Sequence, residues 1–359
     1  MSKKILVISS YPAPYRVSVF RGLAEVYETE VFFEFIKDQS RSADWFVRDT
    51  RFHILCDADA RKRFKFCLKH LKEYDLVLAY DYNNRNAMSL MFRCMVRQVP
   101  YCINCDGAFI HSHWLKDRIK RLFISRAAAC FASGEYAGRY FRHYGAKKER
   151  IYYHRFTSLS EEDICKSQAS KEEKEHRKKS LGLTQERMVL TIGQFIPRKG
   201  IDILLKAWKA LDRTAWLVIV GGGELEEEYM RIVEEEGFQH VILRGFMKKE
   251  EIFSYYRASD VFVLPTREDI WGLVINEAMA CGLPVVATDR CIAAKELIQN
   301  DENGYVVPAE NPQALRDALQ KVLSDEGLRE RMGVNNLKKI NGCTIDAIVK
   351  KHIEVIDTL

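Results

Sequence analysis

KKILVIS, Lys3 to Ser9, is a continuous apolar run of strand length, and after the turn-forming YPAPYR the apolar residues of VSVFRGLAEVY recur at helical spacing. EVFFEFI reads as a second strand. YDLVLAYD (Tyr74–Asp81) and PYCINCDG (Pro100–Gly107) are further apolar runs that close on polar or glycine residues, each preceded by a segment of helical pattern. This alternation predicts a parallel, doubly wound sheet, with ligand groups at the carboxyl ends of its strands.

Between Ser158 and Arg187 the pattern breaks into SLSEEDICKSQASKEEKEHRKKSLGLTQER, rich in charge and poor in aromatics, which reads as linker or solvent-exposed helix. A second alternating series follows it: RMVLTIGQF, IDILLKAWKAL, AWLVIVGGG, ELEEEYMRIVEEEG, VILRGF, KEEIFSYYRAS, DVFVLPT, LVINEAMA, LPVVATD and GYVVPAE. The expected organisation is an N-terminal α/β domain over 1–160, a polar linker over 161–186 and a second α/β domain over 187–340. The last segment, 341–359, carries Ile345, Ile348, Ile353 and Ile356 at helical spacing and is expected to form a helix that can pack back on the first domain. Two such domains in tandem are expected to make a cleft.

Composition agrees with this division. At 359 residues the chain exceeds the size at which single cores stop growing, and 47% hydrophobic with 30% charged residues is ordinary globular usage. The amino terminus has too short an apolar run for a signal peptide or a membrane span, so a cytoplasmic location is expected. Ten cysteines lack the dense, regular spacing of a disulfide framework and read as reduced core residues; the CxxC at Cys102 and Cys105 has no second pair to make a zinc site. Charge is uneven: residues 1–160 hold 28 Lys and Arg against 16 Asp and Glu, and the remainder 28 against 34. A basic first half suits an anionic partner, such as a membrane surface or a phosphorylated acceptor.

Three constellations suggest chemistry. Gly221, Gly222 and Gly223 follow a strand and precede a helix, where glycine lets a ligand approach the backbone and the helix start offers free N–H groups. IGQFIPRKG puts Arg198 and Lys199 beyond another strand, cations suited to a diphosphate. REDIWGLVINEAMACGLPVVAT, Arg267 to Thr288, sets Glu268 and Asp269 before a helix starting at Gly272, with Glu277 among apolar and small neighbours. A carboxylate in such a setting needs a partner, and sugar hydroxyls are suitable ones.

With these residues the sequence resembles glycosyltransferase family 4, of the retaining GT-B class, over nearly the whole chain and most strongly from Met188 to Pro308. The family pairs two acids eight positions apart ahead of an Ala-Met-Ala-Cys-Gly-Leu-Pro-Val run; here these are Asp269, with Glu268 beside it, and Glu277. The resemblance implies two Rossmann-like domains facing an interdomain cleft. It implies that Glu277 binds the ribose of a nucleotide, Asp269 or Glu268 a hydroxyl of the transferred sugar, and the amides of Trp271, Gly272 and Leu273 the pyrophosphate. Lys199 matches the family's phosphate-binding lysine. The arginine that often follows the glycine of that strand is Gln194 in this chain, with Arg198 a candidate substitute, and Gly222, Gly223, Gly245 and Phe246 would lie near the base.

In the first domain the family's Gly-Gly loop is replaced by SSYPAPYRV, so Tyr15 and Arg16 take that place, and Asp106 stands where a histidine or acid commonly lies near the reacting sugar. Asp106, in an Asp-Gly dipeptide, can equally be a turn residue, and His111 and His113 follow closely. The activity implied is transfer of a hexose, with retention, from a nucleotide-diphosphate sugar to a saccharide acceptor, lipid-linked, in bacterial surface polysaccharide synthesis. No metal or other cofactor is expected, since Asp57-Ala58-Asp59 lies in a basic segment of the wrong domain and Lys199, Arg198 and a helix terminus can supply positive charge. RKRFKF and LKDRIKRLF mix cations with aromatic and aliphatic residues and suit an anionic membrane surface. No nucleic-acid module is present. The alternative is a catalytically inactive GT-B scaffold subunit of a glycosylation complex.

Overall fold

The computed structural model describes residues 2–36, 46–47, 49–110, 113–183, 187–209, 211 and 215–359. They fall into two compact units, Met1–Ser158 together with Cys343–Leu359, and Leu159–Gly342.

The first unit is built on strands β1 (Lys4–Ser9), β2 (Glu28–Phe33), β3 (His53–Ile54), β4 (Leu76–Ala79), β5 (Tyr101–Cys105), β6 (Ala129–Ala132) and β7 (Ile151–Tyr153). Every neighbouring pair is parallel, in the order β3-β2-β1-β4-β5-β6-β7. Helices α1 (Pro14–Ala24), α2 (Ala58–Lys69), α3 (Arg85–Arg97), α4 (Trp114–Ile124) and α5 (Glu135–His143) connect them. Strands β4, β5 and β6 are buried at every residue. A sheet covered on both faces demands such unbroken apolar runs, which is why they stand out in the sequence. Strand order reverses between β1 and β4, and the carboxyl ends at such a reversal are where open α/β sheets place their ligand groups.

The helix Ile345–Ile356 belongs to this first unit and packs on α1. It is fastened by fully buried His352, whose Nε2 pairs with the Tyr80 hydroxyl at 2.9 Å and whose ring stacks on Phe131 at 4.0 Å. Burial holds the His352 imidazole down to about 4, so it is neutral in the folded unit. An unfolded histidine takes up a proton near 6.5. The folded form therefore binds fewer protons than the unfolded one between those values, and stability is lost as pH falls through them. Urea midpoints of the first unit should drop between pH 7 and pH 5, and His352→Gln should make the drop shallower; an unchanged pH slope in that variant would contradict the assignment.

The second unit repeats the plan with β8 (Arg187–Ile192), β9 (Ala215–Val220), β10 (Val241–Arg244), β11 (Val261–Leu264), β12 (Val285–Thr288) and β13 (Gly304–Val307). All pairs are parallel in the order β10-β9-β8-β11-β12-β13, with the reversal between β8 and β11. Its helices are α6 (Lys171–Ser180), α7 (Ile201–Trp208), α8 (Glu226–Glu235), α9 (Lys249–Ala258), α10 (Leu273–Ala280), α11 (Ile292–Leu297), α12 (Pro312–Ser324) and α13 (Glu326–Ile340).

The described part of residues 161–186, expected as a linker, is instead an integral part of the second unit. Ser170 opens α6 with a capping box, its hydroxyl accepting from the Glu173 amide at 3.2 Å while the Glu173 carboxylate accepts from the Ser170 amide at 2.8 Å. On the inner face Lys178, 3% exposed, donates to Asp260 at 2.6 Å, and Asp260 also accepts the Met188 amide at 2.9 Å. Composition registered the charge of this segment but not its burial, because the compensating carboxylate lies far along the chain.

Candidate functional site

At the carboxyl edge of the second sheet the loops after β8 and β9 are laced together. The Gly193 amide donates to Val220 O at 3.0 Å, the Phe195 amide to Gly222 O at 2.9 Å, and the Leu225 amide to Phe195 O at 3.0 Å. Gly221 has φ +155°, and a Cβ there would lie 1.8 Å from the Gly193 carbonyl oxygen. The glycine run is thus required first by backbone meeting backbone, where the sequence suggested room for a ligand. Gly222 faces the ring of Phe246, which is 60% exposed, while nothing lies within 4 Å of a Cβ placed on Gly245. Gln194, beside Gly193, has its Nε2 buried without a hydrogen-bond partner among the described residues. Such a donor invites an acceptor.

Lys199 ends a short 3-10 turn, Pro197–Lys199, that follows this loop. Its Nζ donates to Asp269 Oδ2 at 2.5 Å, both side chains being largely buried. The other oxygen of Asp269 accepts the Trp271 amide at 3.3 Å. Both carboxylate oxygens of Asp269 are therefore engaged in holding Lys199 and shaping the turn into α10. Arg198 donates to the Glu268 carbonyl at 2.9 Å and offers its own carbonyl to the Arg267 amide and the Thr266 hydroxyl. The guanidinium proposed to stand in for a missing arginine is tied in part to backbone. The Glu268 side chain is exposed.

Gly272, at φ +95°, opens α10, and a Cβ there would lie 2.5 Å from Cys291 Sγ. Having no side chain, it gives the helix no side-chain cap, and the first amides stand at the positive end of the helix dipole, with the Ile275 amide donating to the Gly272 carbonyl at 2.9 Å. Trp271 is 5% exposed, with its indole N–H donated to Asn276 at 2.9 Å, which fixes the turn from inside. Glu277, half-buried, accepts the Tyr256 hydroxyl of α9 at 2.9 Å. Burial, then the Glu277 charge and hydrogen bond, hold the Tyr256 phenol far above its ordinary value, so the hydroxyl stays a donor to the carboxylate.

The first unit gathers a separate polar group at its own strand ends. Arg16, on the first turn of α1, donates to Asp81 after β4, to Asp106 after β5 at 2.9 Å, and to Ser9 Oγ of β1 at 2.7 Å. Asn104 donates to Asp106 at 2.6 Å, and His154 Nε2 meets the Asn104 carbonyl at 3.2 Å. Burial would raise Asp81, but the Arg16 charge and hydrogen bond hold it below the usual carboxylate range. Asp106 goes the other way: burial pushes it up, Arg16 offsets this only in part, and the neighbouring Asp81 charge adds to the rise. One arginine thus holds two carboxyls of different proton affinity. Tyr15 packs edge-on to Phe156 at 5.3 Å.

The structure therefore brings Gln194, Arg198, Lys199, Gly222, Gly223, Gly245, Phe246, Glu268, Asp269, Trp271, Gly272, Leu273 and Glu277 to one edge of one sheet, and Arg16 with Asp106 to the corresponding edge of the other. Asp81, Asn104, His154 and Tyr256 escaped the sequence reading. Asp81 was legible as an acid closing a strand; Tyr256, one aromatic in a helical pattern, carried no signal. His111 lies outside the described residues, and His113 caps α4. Cys102 and Cys105 are buried free thiols in β5, and burial pushes Cys105 up to about 12. Among the described residues no group of three or more His, Cys, Asp or Glu is placed to hold a metal, and no helix is long and apolar enough to cross a membrane.

Two Rossmann-like units in tandem, each with its polar groups at the carboxyl ends beside the strand reversal, define the GT-B fold class. Known proteins place the chain more closely: residues 172–339, just under half of it, match the family model of glycosyl transferases group 1. An uncharacterized glycosyltransferase of Methanocaldococcus jannaschii is 26% identical over 312 residues, 76% of this chain and 85% of that one. The GDP-mannose-dependent alpha-(1-6)-phosphatidylinositol monomannoside mannosyltransferase of Mycolicibacterium smegmatis is 35% identical over 165 residues, 43% of each chain. This chain spans under half the length of most of the curated relatives it matches. Among solved structures, Anabaena Alr3699/HepE in complex with UDP has a TM-score of 0.80 at 18% identity, covering 100% of both chains, a likeness of fold.

Proposed function

We propose that the protein is a retaining glycosyltransferase that moves a hexose from a nucleotide-diphosphate sugar to a lipid-linked saccharide acceptor in the synthesis of a bacterial surface polysaccharide. The observation that carries this reading is the arrangement of Lys199, held by Asp269, with the start of α10, which no side chain caps, and the Tyr256-held Glu277 four residues further along that helix. A diphosphate leaving group gains negative charge as the glycosidic bond breaks, and a fixed cation and helix terminus stabilise that charge without a metal. Glu277, an acceptor-only group, takes the ribose hydroxyls. Because both oxygens of Asp269 are engaged, it acts as the positioning residue for Lys199, and the exposed Glu268 is the acid that contacts the transferred sugar.

Retention is proposed to follow same-face attack, with a phosphate oxygen accepting the acceptor's proton. In the first unit Arg16, Asp81 and Asp106 offer a polar edge to the acceptor. The acceptor of the mycolicibacterial relative is, by its name, a phosphatidylinositol mannoside, which supports a lipid-borne acceptor here. Helix α4 supports a membrane surface: Trp114 is 71% exposed, and Leu115 and Ile119 are exposed beside Lys116, Arg118 and Arg121. Sedimentation with anionic vesicles at low salt tests that part, and a protein that stays in the supernatant refutes it.

The test of the function is slow release of nucleoside diphosphate from UDP- and GDP-sugars, followed by NMR of the anomeric centre of the product. Glu277→Ala should lower transfer at least about tenfold, equivalent to ~1.4 kcal/mol of transition-state stabilisation. Nucleotide-sugar binding with no release under any condition would favour the scaffold reading.

A further inference from the structure

Cys281 closes α10, its amide shared between the carbonyls of Glu277 at 3.3 Å and Ala278 at 3.1 Å, so it ends the turn on which Glu277 stands. The chain leading to α6 runs against this turn. The Cys165 amide donates to Ala280 O at 2.8 Å, and Gln168 Nε2 donates to Gly282 O at 2.8 Å. Two cysteines from distant parts of the sequence are thereby set side by side, the Cys165 backbone being hydrogen-bonded to the residue that precedes Cys281.

Cations surround Cys165. Arg257, the residue after Tyr256 on α9, and Arg177 of α6 bring positive charge to its thiol, and the Arg177 Nε is buried without a hydrogen-bond partner among the described residues. The neighbouring Cys281 thiol, followed by the charge of these arginines, outweighs burial and draws Cys165 below the ordinary thiol value, while Cys281 is pushed well up. Of the other free cysteines only Cys56 is exposed. Burial pushes Cys67 up to about 11 and Cys94, Cys105, Cys130 and Cys291 up to about 12, which leaves them unreactive.

We propose that Cys165 and Cys281 form a peroxide-reactive pair that closes reversibly into a disulfide and thereby weakens the hold of α10 on its ligand; the second half rests on Glu277 as the ribose-binding group. The Cys165 thiolate attacks one oxygen of hydrogen peroxide, forming S–O and breaking O–O, and the released hydroxide takes up a proton to leave as water. Cys281 then attacks the sulfenic sulfur: S–S forms, S–O breaks, and a second water leaves with the Cys281 proton. Closing the bond fixes the two sulfurs about 2 Å apart, which pulls the end of α10. It also removes the negative charge beside Arg257, the neighbour of the tyrosine that orients Glu277.

The experiment treats the full chain with low equivalents of hydrogen peroxide, maps disulfides by peptide mass and titrates UDP and GDP before and after oxidation and after reduction with dithiothreitol. The expected result is a Cys165–Cys281 linked peptide, a loss of diphosphate affinity of at least about fivefold, and full recovery on reduction. Cys281→Ser should stop at a sulfenic acid on Cys165 that dimedone traps, and Cys165→Ser should be inert to the same dose while binding diphosphate normally. Oxidation of Cys56 with Cys165 untouched would overturn the pair. A pair that closes with diphosphate affinity unchanged would overturn its regulatory role. A pair that closes in a protein binding no diphosphate even when reduced would uphold the thiol chemistry and refute the nucleotide site instead.

Discussion

Lys199→Ala is expected to lower kcat/KM for glycosyl transfer by about a hundredfold, the scale on which loss of one preorganised donor to a developing anion is felt. The lysine is not a solvated surface cation. Its side chain is largely buried and its Nζ is fixed by Asp269 at 2.5 Å. No rotamer search is then needed when the diphosphate arrives, and the low-dielectric setting magnifies the charge. Two comparisons isolate the cause. Lys199→Arg should recover part of the rate, and the affinity lost by Lys199→Ala should be larger for a nucleoside diphosphate than for the monophosphate. Asp269→Asn, which frees the lysine, should lower kcat more than it weakens diphosphate binding. Equal loss for mono- and diphosphate would place Lys199 away from the phosphates.

Arg16→Met should destabilise the first unit by about 3 kcal/mol, toward the lower end of what removing one partner of a buried ion pair costs. The lower end applies because the Asp81 side chain is 26% exposed and can recruit water once the guanidinium is gone. Asp106, 16% exposed, keeps Asn104 as its one side-chain donor among the described residues. For a unit of this size the melting temperature should fall by roughly 6–12 °C. The pH dependence carries opposite signs for the two acids. Asp81, held below the usual range, contributes stability that is present above the unfolded carboxyl value and is lost as pH falls through its lower folded value. Asp106, held above that range, lowers stability at neutral pH and does so less as pH falls through its raised value, where the folded state takes up the proton first. In Arg16→Met the Asp81 contribution should vanish and the Asp106 penalty should grow, so mild acid should stabilise the variant relative to wild type. Equal melting temperatures for the two proteins at pH 7 would refute this account of the cluster.

Much of the architecture was legible because a parallel sheet covered on both faces requires strands that are apolar throughout, such as LVLA of β4 and VVAT of β12. The candidate residues at the edge of the second sheet were legible for a related reason. In such sheets the chain can present polar groups and glycines only where strands end, so Gly193, Gly221, Asp269 and Gly272 punctuate the apolar runs in plain sight. The boundary at 161–186 was misread because charged residues look alike whether solvated or paired, and only folding brought Asp260 to Lys178.

What the sequence determined by itself is the set of elements and the chemistry available at their ends, since both follow from local periodicity and residue type. What only the tertiary structure decided is partnership. Asp269 turned out to hold Lys199 across seventy residues, Tyr256 to hold Glu277, Arg16 to bridge Asp81 and Asp106, and Cys165 to meet Cys281. A hydrogen bond or ion pair depends on distance in space, which the order of strands in a sheet sets and the order of residues along the chain does not.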